Sequence, residues 1–249
     1  MNDQHSAENQ TLSVAEYIRR TFVPISHLSH DWEMHSAVPL TPAEERTMVR
    51  EPAQAVPAAA AKRLGSLRVL VVPYVSCSGT GDMVCFSKPK GETHSSVWSE
   101  TDGRINLVLP CHELDAHDTG FEFLASIAEL LHPRLTSQEL DRYTALLEEE
   151  LRSGVTGEMD EEAVRAKQPL LKGRASPRRG RAPFEHYRTA SFISTMAEYV
   201  HGLWHDVQIR IGAEHLPLPQ LRRRMELLAE MFPPNPGYRV FSAEMGKDE

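Results

Sequence analysis

A glutamate and a histidine three positions apart, Glu129 and His132, lie in an otherwise apolar run, Phe121-Glu-Phe-Leu-Ala-Ser-Ile-Ala-Glu-Leu-Leu-His132. Helical side chains four apart differ by about 40° around the axis. A His–Glu–x–x–His run therefore directs two imidazoles to one metal ion and leaves the glutamate where it can activate a bound water. Here Ala128-Glu129-Leu-Leu-His132 keeps the glutamate and the second histidine, with Ala128 in place of the first. A methyl group cannot coordinate zinc. The plainer alternative is an amphipathic helix whose glutamate and histidine make internal hydrogen bonds. A second set follows: Tyr187, Ser191, Ser194, Glu198, His201 and His205 recur at steps of four, three, four, three and four. They form a polar stripe on a helix otherwise apolar at Phe184, Ile193, Met196, Ala197, Val200, Leu203 and Trp204. His201 and His205 have the spacing at which two imidazoles can share a metal, and Glu198 lies one turn earlier. Two histidines satisfied by ordinary neighbours are the alternative.

Other groups carry weaker chemistry. His112 and His117 are five apart, so on a helix they would point about 140° from each other. After Pro110 they read as loop residues, which with Cys111 could ligate a metal or simply be solvated. Ser78-Gly-Thr-Gly81 lacks the remaining glycine and the lysine of a phosphate-binding loop and reads as a turn. His27, His30 and His35 stand loosely spaced near Trp32, where they could complete a site from the N-terminal segment.

Composition narrows the class. Of the 249 residues, 41% are hydrophobic and 25% charged, ordinary for a soluble globular protein large enough to bury a core. A formal net charge of -8 argues against nonspecific nucleic-acid binding, because phosphate would be repelled. No run approaches the ~20 apolar residues that cross a bilayer, and Met1–Glu8 lacks the basic and apolar regions of a signal peptide. Cys77, Cys85 and Cys111 are odd in number and have no CxxC spacing, which suits reduced thiols. A cytoplasmic protein with no membrane and no nucleic-acid partner is expected.

The elements that must position these residues follow from periodicity and punctuation. Val14 to Phe22 and Thr41 to Arg50 read as short helices, and Ala53 to Ala61 as a linker or short helix. Segments 67–75, 82–87, 93–99 and 104–110 read as four strands of one small, mainly antiparallel sheet, with Pro73 requiring a bulge or an edge. Asp102-Gly103 marks a hairpin turn. Helices are expected over 121–132, from Thr136 to Arg152, over 160–167, from Phe184 to Val207 and from Pro219 to Met231. Residues 168–183 read as a flexible linker, and within it 172–181, with Lys172, Arg174, Arg178, Arg179 and Arg181 among Gly, Pro and Ser, as the cleavable part. Strands first and helices after make the class α+β.

The order of sheet, Asp102-Gly103 turn, strand Arg104–Pro110, helix with Ala128-Glu129-x-x-His132 and later helix with Glu198 resembles the zincin-fold zinc metallopeptidases, gluzincins in particular. The resemblance implies a zincin-like core over 61–215, between N-terminal helices and linker (1–60) and a C-terminal helix and tail (216–249). It assigns His132 as a metal ligand, Glu129 as the catalytic glutamate and Glu198 as the third ligand. With Ala128 breaking the motif, the leading expectation is a degenerate, non-catalytic site that acts by binding a protein or peptide, with no cofactor. One alternative is an active metal-dependent hydrolase with a rearranged zinc site, using His132, His201 and His205 as ligands, Glu198 as a ligand or orienting carboxylate and Glu129 as base. Another is a plain α+β interaction domain.

Overall fold

The computed structural model describes residues 11–21, 23–24, 26–78, 81–91, 93–172, 182–205 and 214–240. Of the expected cleavable segment 172–181, all but Lys172 lies outside them, as does Val207. The chain divides into two compact units. One takes residues up to Gln54 together with Leu64–Ser126, the other Ala55–Arg63 together with Ile127 onward. Residues 61–215, the extent of the expected zincin-like core, fall partly in each unit.

Among the described residues the first unit holds two sheets. Strand β1 (Leu12–Ser13) leads into helix α1 (Val14–Thr21), whose Glu16 N–H donates to the Ser13 hydroxyl at 3.2 Å. β2 (Ser26–His27) and β3 (Glu33–Ser36) form an antiparallel pair. β4 (Leu67–Val72) is almost wholly apolar because it is an interior strand, parallel to β3 on one side and to β8 (Arg104–Pro110) on the other. β5 (Tyr74–Ser78) and β6 (Gly81–Cys85) form a hairpin, and β7 (Val97–Thr101) pairs antiparallel with β8. The orders are β2-β3-β4-β8-β7 and β1-β6-β5. Val14, Tyr17, Leu70, Val72, Val75, Val84 and Val108 form one buried cluster in this unit.

The fold is α+β, but the expected four-strand meander is corrected. Pro73 has no N–H for a ladder, and the chain passes there from β4 in the larger sheet to β5 in the smaller. Thr93 makes only an isolated bridge with Ser76, so the strand expected at 93–99 starts at Val97. The larger sheet is mixed, since β3, β4 and β8 run parallel. The β7–β8 turn has the expected chemistry: Asp102 and Gly103 take φ of 53° and 70°, as the central pair of a two-residue type I′ hairpin requires.

Helix α2 (Pro42–Glu45), a π-helical turn over Arg46–Arg50 and α3 (Glu51–Ala55) run on from the Thr41/Glu44 capping box. α4 (Ala58–Leu64) then gives the end of the Ala53–Ala61 stretch the helical one of its two readings. Its first N–H, at Ala58, donates to Asn235 Oδ1 at 2.9 Å, while Asn235 Nδ2 donates to the Val56 carbonyl at 2.8 Å. α5 (Ala116–Leu131) starts five residues before Phe121. Asp115 caps it, accepting from the Asp118 N–H at 2.8 Å, which places His117 and Asp118 in the first turn instead of a loop.

The second unit continues with α6 (Ser137–Arg152), α7 (Glu161–Leu171), α8 (Ala182–Trp204) and α9 (Leu218–Met231). Thr136 and Glu139 form a capping box at α6, and Glu139 also takes two hydrogen bonds from the Arg63 guanidinium, at 2.5 and 2.6 Å. α7 extends through Pro169 to Leu171, into the segment read as a linker. Pro169 falls in the last turn, where the Lys172 N–H still reaches the Gln168 carbonyl at 3.1 Å.

Candidate functional site

The pentapeptide comes first. Ala128 is fully buried, Glu129 is exposed, and His132 sits half-buried in the 3₁₀ turn that follows α5. The His132 ring packs 5.5 Å from the Phe192 ring, and its Nε2 lies 3.5 Å from the Thr189 hydroxyl. Burial, then the Arg188 cation, lower its pKa, so the imidazole is neutral at pH 7. On α8, Glu198 Oε2 stands 3.6 Å from His201 Nδ1, and the His201 and His205 rings are 5.9 Å apart.

These two groups do not converge. Phe192 and His201 are nine positions apart on α8, about 900° around the axis, hence half a turn out of phase and about 13 Å apart along it. His132 thus meets the side of α8 opposite His201. His132 is therefore not brought together with Glu198, His201 and His205 as the ligand set of the zincin resemblance implies. Among the described residues, three or more candidate ligands approach within 4.8 Å of one another in two places, Cys77/Asp82/His94 and Asp115/His117/Asp118. Neither includes Glu129, His132, Glu198, His201 or His205. The loop alternative also separates: Cys111 is buried, with its thiol pushed up to about 11 by burial and then by the Glu44 charge. His112 is exposed, edge-on to Tyr74 at 5.4 Å.

The first half of the α8 stripe serves a different cluster, which sequence reasoning missed. Arg224 on α9, Glu150 on α6, Lys167 on α7 and Glu158 between α6 and α7 are all buried in the second unit. Arg224 Nη1 and Nη2 donate to Glu158 Oε2 and Oε1, each at 2.8 Å. Its Nη2 reaches Glu150 Oε2 at 2.6 Å and its Nε reaches Glu150 Oε1 at 3.1 Å. Lys167 Nζ donates to Glu158 Oε1 at 2.9 Å and to the Gly157 carbonyl at 3.0 Å. Tyr187 OH donates to the same Glu158 oxygen at 2.5 Å, and Arg224 Nη1 reaches Ser191 Oγ at 2.8 Å. Tyr143 OH closes the network on Ser191 and Thr195. The two cations balance the two carboxylates, and the hydrogen bonds satisfy charges that could not otherwise remain buried. Helical phase carried the signal. Arg224 falls on the Leu221/Met225/Leu228 face of α9, and Lys167 between Ala163, Ala166 and Leu170 on α7.

Burial by itself would raise the pKa of Glu158, but the charges of Arg224 and Lys167 and their hydrogen bonds outweigh it and hold the carboxyl at about 2, against an ordinary 4.5. A folded pKa below the unfolded one adds stability that is complete above about 4.5 and disappears as pH falls toward about 2. The contribution is on the order of 3 kcal/mol. Urea midpoints should therefore drop steeply below pH 4.5. A midpoint flat from pH 6 to pH 3 would count against the assignment.

A second polar group lies in the first unit. Ser96 Oγ donates to Glu122 Oε1 at 2.9 Å and lies 2.8 Å from Ser126 Oγ, one turn further along α5. Burial raises the Glu122 pKa against the lowering effect of the Ser96 hydrogen bond. The group is a hydrogen-bonded contact between the segment before β7 and the middle of α5. Compared with protein-family models, curated proteins and solved structures, the chain finds no match in any of the three.

Proposed function

We propose that this chain acts by binding a protein or peptide and performs no catalysis, on a zincin-like frame whose metallopeptidase centre has decayed. The observation that carries this reading is the fate of the pentapeptide. The position of the first ligand is an alanine turned into the core, and the remaining histidine packs on Phe192, away from Glu198. No metal-activated water can be held beside Glu129 by such a set. The zincin-like order is supported by an antiparallel edge hairpin, β7–β8, followed directly by α5.

Binding has a surface suited to it. Among the described residues β7 is the outermost strand of the larger sheet, and Trp98 on it is 42% exposed. Thr101 and Arg104 flank the two-residue turn as a hydrogen-bonded pair, so by alternation Trp98 turns its N–H group away from β8. An extended peptide can pair along that edge, taking affinity from the backbone and specificity from contact with Trp98. Screening a displayed library of random peptides tests the reading. Binders are expected whose affinity falls at least tenfold in Trp98→Pro, which removes one outward N–H at an edge where proline is tolerated. Cleavage of the peptides, or binding indifferent to Trp98→Pro and Trp98→Ala, would overturn it.

A further inference from the structure

We propose that Cys77, Asp82 and His94 form a solvent-accessible binding site for a zinc-type divalent metal at the tip of the β5–β6 hairpin. Three neighbouring extended segments each bring one ligand to a single face. Cys77 and Asp82 are directly opposite in the hairpin register. On the other side of β5, Thr93 bridges Ser76 antiparallel, and the His94 N–H donates to the Val75 carbonyl at 2.9 Å. His94 therefore lies opposite Val75. Residues 75 and 77 share a face of the strand, so His94 comes up on the face of Cys77, one diagonal away, within reach of a long side chain. The thiol, a carboxylate oxygen and an imidazole nitrogen all lie within 4.8 Å of one another.

The ligand chemistry selects the metal class. Thiolate, imidazole and carboxylate together suit zinc or cobalt and are poor for magnesium or calcium. Thiolate and carboxylate would neutralise a divalent cation, and three protein ligands leave the fourth tetrahedral position to water. An ordinary His–Asp ion pair explains less of the arrangement. His94 Nε2 approaches Asp82 Oδ1 to 3.1 Å, with both side chains some 40% exposed, yet it makes no hydrogen bond of good geometry, and the pair leaves the converging thiol without a role. Metal bonds of about 2.0–2.3 Å require the three atoms to draw together by about 1 Å, a small movement at a hairpin tip. Binding releases the Cys77 proton, because the thiolate is the ligand. Cys85 and Cys111 are buried elsewhere, with Cys85 Sγ against the Ser76 hydroxyl at 3.2 Å.

Cobalt(II) titration of the full chain under reducing conditions tests this independently of the function proposed above. One equivalent should bring up the near-ultraviolet thiolate-to-cobalt charge-transfer band, and zinc should bleach it. Cys77→Ser should abolish the band, and His94→Ala should weaken binding more than tenfold, whereas His201→Ala should leave both unchanged. Zinc should also slow alkylation of Cys77 in the unmodified chain. Absence of the band, or a band that persists in Cys77→Ser, would overturn the site.

Discussion

Arg224→Met is expected to destabilise the second unit by about 3–5 kcal/mol, the loss typical when one partner of a buried ion cluster is removed. Arg224 is fully buried and bonds both Glu150 and Glu158. Methionine fills the volume but leaves the two carboxylates facing a single cation, Lys167. Glu158 keeps its bonds from Lys167 and Tyr187, so Glu150 is the group left exposed to the penalty. The charge balance supplies a second arm. Glu150→Leu combined with Arg224→Met restores one anion and one cation, and should recover on the order of half the loss. Urea denaturation of the two single variants and the double variant measures this. A double variant as unstable as the sum of the singles would show that the four groups do not act as one cluster.

Gly157→Ala should be as damaging, for a steric reason. A methyl group at position 157 would stand 1.9 Å from the His215 carbonyl oxygen and 2.5 Å from its carbon. Those atoms are backbone and cannot rotate away. The approach is held on either side by the Glu158 N–H to the Glu214 carbonyl at 3.0 Å and the Leu216 N–H to the Glu158 carbonyl at 3.1 Å. Separating the strands to admit the methyl breaks this bridge and shifts Glu158, and with it the charge cluster. A loss of more than about 3 kcal/mol in thermal or urea unfolding is expected, at the upper end of overpacking effects. Gly91→Ala, with open space around it, should stay within about 0.5 kcal/mol. Similar values for the two variants would contradict the close approach.

Local chemistry made parts of this fold legible in the sequence. Thr136 with Glu139, Thr41 with Glu44 and Asp102-Gly103 are contacts within a few residues, and each appears where its residues indicate. Long-range pairing was not legible. Glu33–Ser36 has a single fully buried residue, Met34, and gives no strand pattern of its own; it is a strand because β4 lies parallel beside it. Pro73 announced an interruption, but not that the chain would change sheets there. In the candidate site, the helical spacing of Glu198, His201 and His205 was legible. The angular relation of His132 to α8 depends on which residues α8 presents to the turn after α5, and spacing within either helix does not specify it. The buried ions were overlooked because Arg224 stands in Arg-Arg-Arg and Glu150 in Glu-Glu-Glu, where a charge run reads as a solvated face. The apolar neighbours at helical phase were the discriminating signal.

The central claim is that Glu129, His132, Glu198, His201 and His205 form no metal centre. Its most direct test is the zinc content of the Cys77→Ser/His94→Ala variant, which isolates these residues from the hairpin site. The protein is saturated with zinc, desalted and analysed by plasma mass spectrometry. The account predicts no stoichiometric zinc. Stoichiometric zinc that disappears when His201→Ala or His205→Ala is added would contradict it and establish a metal centre on α8.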